Sequence, residues 1–239
     1  MENEESKVNL KQQKFLQSFM SKGILDTKEV KTLLTELNVP TDSAEELLNL
    51  VHSTNEAIAP FNLEIRKGIQ EDDGANFYCL VNTVETPISR LSSTYTQSEL
   101  ELFKKLIEQI VDSEDGKIGS LAALSLTDKV EKRIGKEEAQ EIFDRFERDK
   151  WIRKDRDGKI SLSVRSLLEL DQYLKDVYSE FIKLCNICSK ICLLGDTCAN
   201  CGIKIHLKCA KSLFSRQGEK KTCPAPDCRV VWGQMRTKV

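Results

Sequence analysis

At 239 residues, with 40% hydrophobic and 31% charged residues, the chain has room for two or three small domains with modest cores, and its composition excludes a disordered or fibrous protein. No apolar run reaches the roughly 18–20 residues that cross a bilayer, and the acidic, polar start MENEESKVNLKQQ is unlike a signal peptide, so an intracellular chain with no membrane contact is expected. The net charge of −2 hides an asymmetry, because the stretch from Gly202 to Val239 holds nine Lys/Arg against Glu219 and Asp227.

In chain order, residues 8–59 read as three helices. Phe15, Leu16, Phe19 and Met20 mark one apolar face, Val30, Leu33, Leu34 and Leu37 a second, and Leu47, Leu48 and Val51 a third. Asp26-Thr27-Lys28-Glu29 supplies a capping box for the second helix, and Pro40 bars its continuation. The period then changes to two. Phe61, Leu63 and Ile65 alternate with polar residues as in a half-buried strand, Asp72-Asp73-Gly74 signals a turn, and NFYCLVNTV (76–84) reads as the returning strand. Three helices followed by a hairpin is the order of a winged-helix domain, here residues 1–90.

The proline and hydroxyl-rich stretch 85–97 is a boundary. Beyond it the same order returns over 96–184. Leu102, Phe103, Leu106, Ile107 and Ile110 make one helical face, a short element follows near Leu121–Leu126, and Ala139, Ile142, Phe143 and Phe146 make another. Asp157-Gly158, between Ile152 and Ile160/Leu162, then favours a tight hairpin. A closing helix is expected from Ser163 to Leu184, with Leu167, Leu170, Leu174, Val177, Tyr178 and Phe181 on one stripe, running without a flexible linker into the last segment, 185–239. That continuity predicts a terminal module held rigidly against the second domain.

Eight of the nine cysteines fall after residue 184, and seven of them run with His206 in the order Cys185-x2-Cys188-x9-Cys198-x2-Cys201-x4-His206-x2-Cys209-x13-Cys223-x4-Cys228. In a reducing compartment clustered Cys and His point to zinc before disulfides. Eight ligands in four pairs make two closed tetrahedral sites, with no open position for metal-centred catalysis. Two wirings are open. A cross-brace gives Cys185, Cys188, His206 and Cys209 one ion and Cys198, Cys201, Cys223 and Cys228 the other, whereas a tandem arrangement closes neighbouring pairs. Cys192 is the extra cysteine, Cys79 reads as a buried thiol within a strand, and His52 has no Cys or His neighbour on its helix. No nucleophile elbow, phosphate loop or dinucleotide glycine pattern is present.

Four Cys, one His and three Cys in this order resemble the variant RING fingers. With two winged-helix-like units ahead of the finger and the strand FYCLVNT (77–83), the chain resembles the non-SMC element one family of the SMC five/six chromosome-maintenance complex over essentially its whole length. The resemblance implies a mainly α fold with small β hairpins: tandem winged-helix domains followed by a cross-brace RING-like finger with two zinc ions. It further implies a nuclear protein of DNA repair that binds a MAGE-type subunit and a kleisin subunit, and a RING-type ubiquitin ligase that positions a ubiquitin-loaded conjugating enzyme without a covalent intermediate. Ile187, Pro224 and Arg229 match the positions at which such fingers contact the conjugating enzyme and ubiquitin. Two departures stand out: the last pair, CPAPDC, has four intervening residues where RING fingers usually have two, and Phe214 only loosely matches the usual aromatic after the sixth ligand. The third helix of the second unit carries Glu137, Glu138, Glu141, Asp144 and Glu147, which is unsuited to phosphate, so DNA contact is expected only weakly, from the basic finger end, or through partners.

Overall fold

The computed structural model describes residues 9–41, 43–84, 91, 94–217 and 221–232. In the first half, α1 (Leu10–Lys22) starts from a capping box in which Asn9 and Gln12 satisfy each other's backbone N–H groups. The chain then forms β1 (Ile24–Asp26), α2 (Thr27–Glu36) and α3 (Ala44–Ile58). The capping box read from Asp26 and Glu29 opens α2. The hairpin strands β2 (Leu63–Ile69) and β3 (Asn76–Asn82) pair antiparallel, and β1 adds to the free side of β3, giving the order β1-β3-β2. Asn55 ties α3 to this sheet, accepting from the Ile65 N–H at 2.7 Å and donating to the Ile65 carbonyl at 3.0 Å. Phe15, Phe19, Val30, Leu34, Ile58 and Ile65 fill the core. Two strand expectations shift. Phe61 is not a strand residue: it ends a 3-10 turn over Ala59–Phe61 and is exposed, because Asn62 takes a left-handed φ of 58° that re-aims the chain before β2 begins. The strand β1, whose three residues are too few to show a period, had no sequence signal.

The boundary expected at 85–97 falls largely outside the described residues. The second half opens with α4 (Gln97–Asp112), followed by β4 (Ile118–Gly119), α5 (Ser120–Leu124), a 3-10 turn over Ser125–Lys129 and α6 (Lys136–Arg148). The hairpin β5 (Ile152–Lys154) and β6 (Lys159–Leu162) turns at Gly158, whose φ of 75° suits glycine. The sheet order is β4-β6-β5. Phe103, Phe143, Phe146 and Trp151 form a connected aromatic core beneath α4 and α6.

The single helix expected over 163–184 is two short ones, α7 (Val164–Glu169) and α8 (Asp171–Val177), broken at Leu170, whose backbone sits at φ −93° and ψ 6°. Leu167, Leu170 and Leu174 are buried, but Val177 is 55% and Phe181 49% exposed. The apolar stripe runs on in the sequence past the end of the core that could cover it, and turns around Tyr178 replace the last helical turns.

The two halves pack through the first sheet and α7. Ile24, Cys79, Val81 and Val164 form one buried cluster, and the approach is close enough that a Cβ at Gly68 would lie 2.4 Å from Val164. Arg153 on β5 pairs with Asp72 at 3.2 Å and Asp73 at 2.8 Å in the β2–β3 turn. The terminal module, with β7 (Asp196–Thr197), β8 (Lys204–Ile205) and α9 (Leu207–Phe214), rests on both halves and not on the second alone. Ile191 and Leu193 join the second core, Lys204 Nζ donates to the Glu114 carbonyl at 3.4 Å, and Lys190 and Lys208 donate to the carbonyls of Lys67 and Gly74, each at 3.0 Å.

Candidate metal centre

The finger has little apolar interior: Cys185, Cys192, Ile205, Ala210 and Phe214 are its buried cluster, with Trp232 packed on Phe214 at a ring separation of 5.4 Å. Local backbone geometry turns the thiols inward. After Cys188, Cys201 and Cys228 the next residue in each case has a positive φ, 56° at Ser189, 74° at Gly202 and 44° at Arg229. The N–H groups of Ser189 and Gly202 bond back to the carbonyls of Cys185 and Cys198 at 2.9 and 3.0 Å, closing tight loops that leave both sulfurs of a pair on one side.

Two quartets result. The ligand atoms of Cys185, Cys188, His206 and Cys209 lie within 4.8 Å of one another, and so do those of Cys198, Cys201, Cys223 and Cys228. Within the first, His206 Nδ1 is 3.3 Å from Cys188 Sγ and 3.9 Å from Cys209 Sγ. Within the second, Cys198 and Cys228 sulfurs are 3.7 Å apart and Cys201 and Cys223 sulfurs 3.6 Å. None of these cysteines is in a disulfide. The first and third pairs share one cluster and the second and fourth the other, so each cluster straddles the other along the chain. Both clusters could hold a metal ion.

The thiols' electrostatics fit that use. Burial pushes Cys223 up to about 12 and Cys209 up to about 11, while the Asn200 side-chain N–H, 3.3 Å from Cys228 Sγ, pulls Cys228 down to about 6. Burial also opposes ionisation of Cys185, but the backbone N–H groups of His206, Cys188 and Ile187 outweigh it and bring that thiol to about 7. Each cluster therefore sets opposing influences on its thiols, burial against ionisation and N–H donors for it, and an entering cation would favour the thiolate form throughout.

Ile187, Pro224 and Arg229 belong to neither cluster. Ile187 is 44% exposed between two ligands, Pro224 is half-buried, and Arg229 is exposed. Phe214 is buried against Trp232 and unavailable as a surface aromatic. Cys192 is buried with its Sγ toward the Leu194 carbonyl, Cys79 is fully buried, and His52 lies exposed beside Glu56 on α3. One participant was not read from the sequence: Glu71, which groups with Cys192 and His206. A single acidic residue after a strand carries no signal of a partner so far along the chain.

Residues 12–170 match the family model described as "Nse1 non-SMC component of SMC5-6 complex". The chain belongs to the Nse1 family. Residues 185–232 match a second model, the RING-like domain, which begins at the first metal-cluster cysteine. Among relatives named non-structural maintenance of chromosomes element 1 homolog, the human protein is 34% identical over 233 residues, covering 95% of this chain and 85% of that protein. The Xenopus laevis protein is 35% identical, covering 95% and 84%, and the Schizosaccharomyces pombe protein of the family is 29% identical, covering 79% and 80%. A chain from a solved structure titled "Nse1-Nse3-Nse4 complex" superposes with a TM-score of 0.82 at 34% identity, covering 96% of this chain and 99% of that one. Family membership thus spans the paired helical halves and the finger together.

Proposed function

We propose that this chain is the RING-type ubiquitin ligase subunit of a nuclear SMC complex of chromosome maintenance and repair, built as two winged-helix domains (1–90 and 96–184) and a zinc finger (185–239). The helix-then-hairpin order in both halves supports the winged-helix reading. The donor chemistry supports zinc: a tetrahedral ion with Zn–S bonds of ~2.3 Å sets its sulfurs ~3.8 Å apart, close to the 3.6 and 3.7 Å separations of the all-cysteine cluster. Cys185, Cys188, His206 and Cys209 would hold one ion and Cys198, Cys201, Cys223 and Cys228 the other. Zinc there supplies folding free energy that so small a core lacks.

The observation that carries the ligase reading is Arg229. A residue in the left-handed region is strained unless it is glycine; the matching positions of two other pairs hold the small Ser189 and Gly202, whereas here an exposed arginine sits at φ 44°. Such a cost is retained where the side chain has work to do, and a guanidinium fork donating to two carbonyls at once suits the contact between conjugating enzyme and ubiquitin. Exposed Ile187 and half-buried Pro224 would dock the enzyme, and rate enhancement comes from holding the thioester and amine in a reactive pose. The likeness to a chain of an Nse1-Nse3-Nse4 complex supports a MAGE-type subunit and a kleisin subunit as partners, with the former expected to raise activity. The test is single-turnover discharge of a ubiquitin-loaded conjugating enzyme by the chain with its MAGE-type partner. Ile187→Ala and Arg229→Ala are each expected to slow discharge by at least about tenfold, and unchanged discharge in both overturns the mechanism.

A second reading, a non-catalytic docking module with zinc as scaffold, is favoured by the burial of Phe214 and by the clamping of the finger onto both halves through Lys190, Lys204 and Lys208. It predicts partner binding that survives Ile187→Ala and Arg229→Ala but fails with Cys185→Ala or Cys209→Ala. A third, a winged-helix DNA regulator, is disfavoured by α6, whose outer face presents Glu137, Glu138, Glu141 and Asp144 to solvent.

A further inference from the structure

The β2–β3 turn of the first half reaches into the finger. Glu71, only 4% exposed, sits in that turn with its carboxylate fully engaged by groups of the finger. Its Oε1 lies 2.9 Å from the Leu193 N–H and 3.1 Å from His206 Nε2, and its Oε2 accepts from the Leu194 N–H at 3.2 Å. The Ile191 carbonyl lies 2.9 Å from the same His206 nitrogen, and the buried Cys192 thiol groups with the pair. A carboxylate and a carbonyl are both acceptors, so the imidazole must carry its proton on Nε2. The lone pair is thereby left on Nδ1, the nitrogen that faces Cys188 and Cys209.

We propose that Glu71 is a positioning residue for the finger's histidine-containing metal site: a carboxylate supplied by the first half fixes the tautomer and the ring plane of His206, and so couples metal binding in the finger to docking of the first half upon it. The inference rests on the reading that these clusters hold zinc. Ligating histidines are oriented by such outer hydrogen bonds, whose loss lowers metal affinity by about 10–100-fold. What is particular here is the origin of the carboxylate. It comes from the first half of the chain, and its two oxygens simultaneously tie down the Leu193 and Leu194 N–H groups next to the second-half core. Coupling of this kind is reciprocal, so metal at the histidine-containing site must favour the docked turn by the same factor as the docked turn favours metal. The grouping of Glu71, Cys192 and His206 is then not a third ion site, because His206 has one nitrogen for a metal and the other for a proton.

The experiment uses the full-length chain loaded with zinc, and separately with cobalt(II), whose absorption distinguishes three-sulfur from four-sulfur ligation. Competition with a chelator measures each site. In Glu71→Ala, affinity at the histidine-containing site is expected to fall about 10–100-fold while the all-cysteine site changes less than about threefold. The chain has only two histidines, so ring nitrogen NMR signals are readily assigned. The Nε2–H of His206 is expected to exchange slowly in the parent, several-fold faster in Glu71→Ala, where only the Ile191 carbonyl still accepts from it, and at close to the parent rate in Glu71→Gln, whose amide oxygen can still accept from His206 although its NH2 opposes the Leu194 N–H. Equal affinity at both sites in Glu71→Ala, an equal fall at both, or loss of a third metal equivalent overturns the proposal. A parent chain that binds no metal overturns the zinc reading with it, whereas two bound ions indifferent to Glu71 overturn this inference alone.

Discussion

Arg229 separates what a residue does for the fold from what it does on the surface. Its φ of 44° is a conformation in which a side chain costs energy and glycine costs none. Arg229→Gly is therefore expected to raise the stability of the metal-loaded finger by about 0.5–1 kcal/mol, read as a shift in denaturant midpoint at constant slope, while discharge of the conjugating enzyme falls as far as in Arg229→Ala. A destabilised glycine variant would mean that the arginine serves the fold. Arg229 was legible in the sequence as a candidate contact from its place after the last ligand, but its backbone strain was not, since a Cys-Arg dipeptide has no turn signature. Glu71 was illegible for a different reason: its partners Leu193, Leu194 and His206 are brought to it only by the packing of the finger against the first half.

Among elements, the β2–β3 turn does more than reverse the chain. Glu71 enters the finger, Gln70 accepts from the Val164 N–H at 3.2 Å at the start of α7, and Asp72 and Asp73 hold Arg153 on β5. Burial alone would raise the Asp73 pKa, but the Ala75 N–H and the Arg153 guanidinium outweigh it and hold that carboxyl below its usual range. A depressed carboxyl contributes stability that is fully present above its unfolded pKa, about 4, and is lost as pH falls through its lower folded value. Acidification from about pH 5 to about pH 3 is thus expected to lower the protection of the turn amides relative to their intrinsic exchange rates, with Arg153→Ala showing the lower protection already at the higher pH and a flatter response; the pair's partial exposure limits the effect to about 1 kcal/mol or less. The sequence announced this turn, the Asp157-Gly158 hairpin and the Asp26–Glu29 capping box because each depends on a few adjacent residues. It misplaced the 163–184 helix because periodicity records which residues are apolar and not where the neighbouring core ends.

Across the whole molecule, the finger is the part least able to fold alone and the part both halves lean on. Its own buried cluster is small, while Ile191 and Leu193 are built into the second core and Glu71 anchors it to the first half. Removing metal should therefore unfold the finger and loosen its seat without melting the halves, whose cores around Phe15 and Phe19 and around Phe103, Phe143 and Phe146 are independent of any thiol. The two tryptophans report on the two regions separately: Trp151 is 3% exposed within the second core with Arg165 stacked on it, and Trp232 packs on Phe214 in the finger. A strong chelator is expected to red-shift the emission of Trp232 and leave that of Trp151 nearly unchanged. Trp232→Phe should then abolish the shift, and far-UV circular dichroism should retain most of its helical signal. Readdition of zinc should restore both the emission and slow exchange of the Leu193 and Leu194 amides, because the same metal that orders the finger returns those amides to Glu71. A chelated chain in which Trp151 shifts as far as Trp232 would show instead that the second half depends on the finger for its own core.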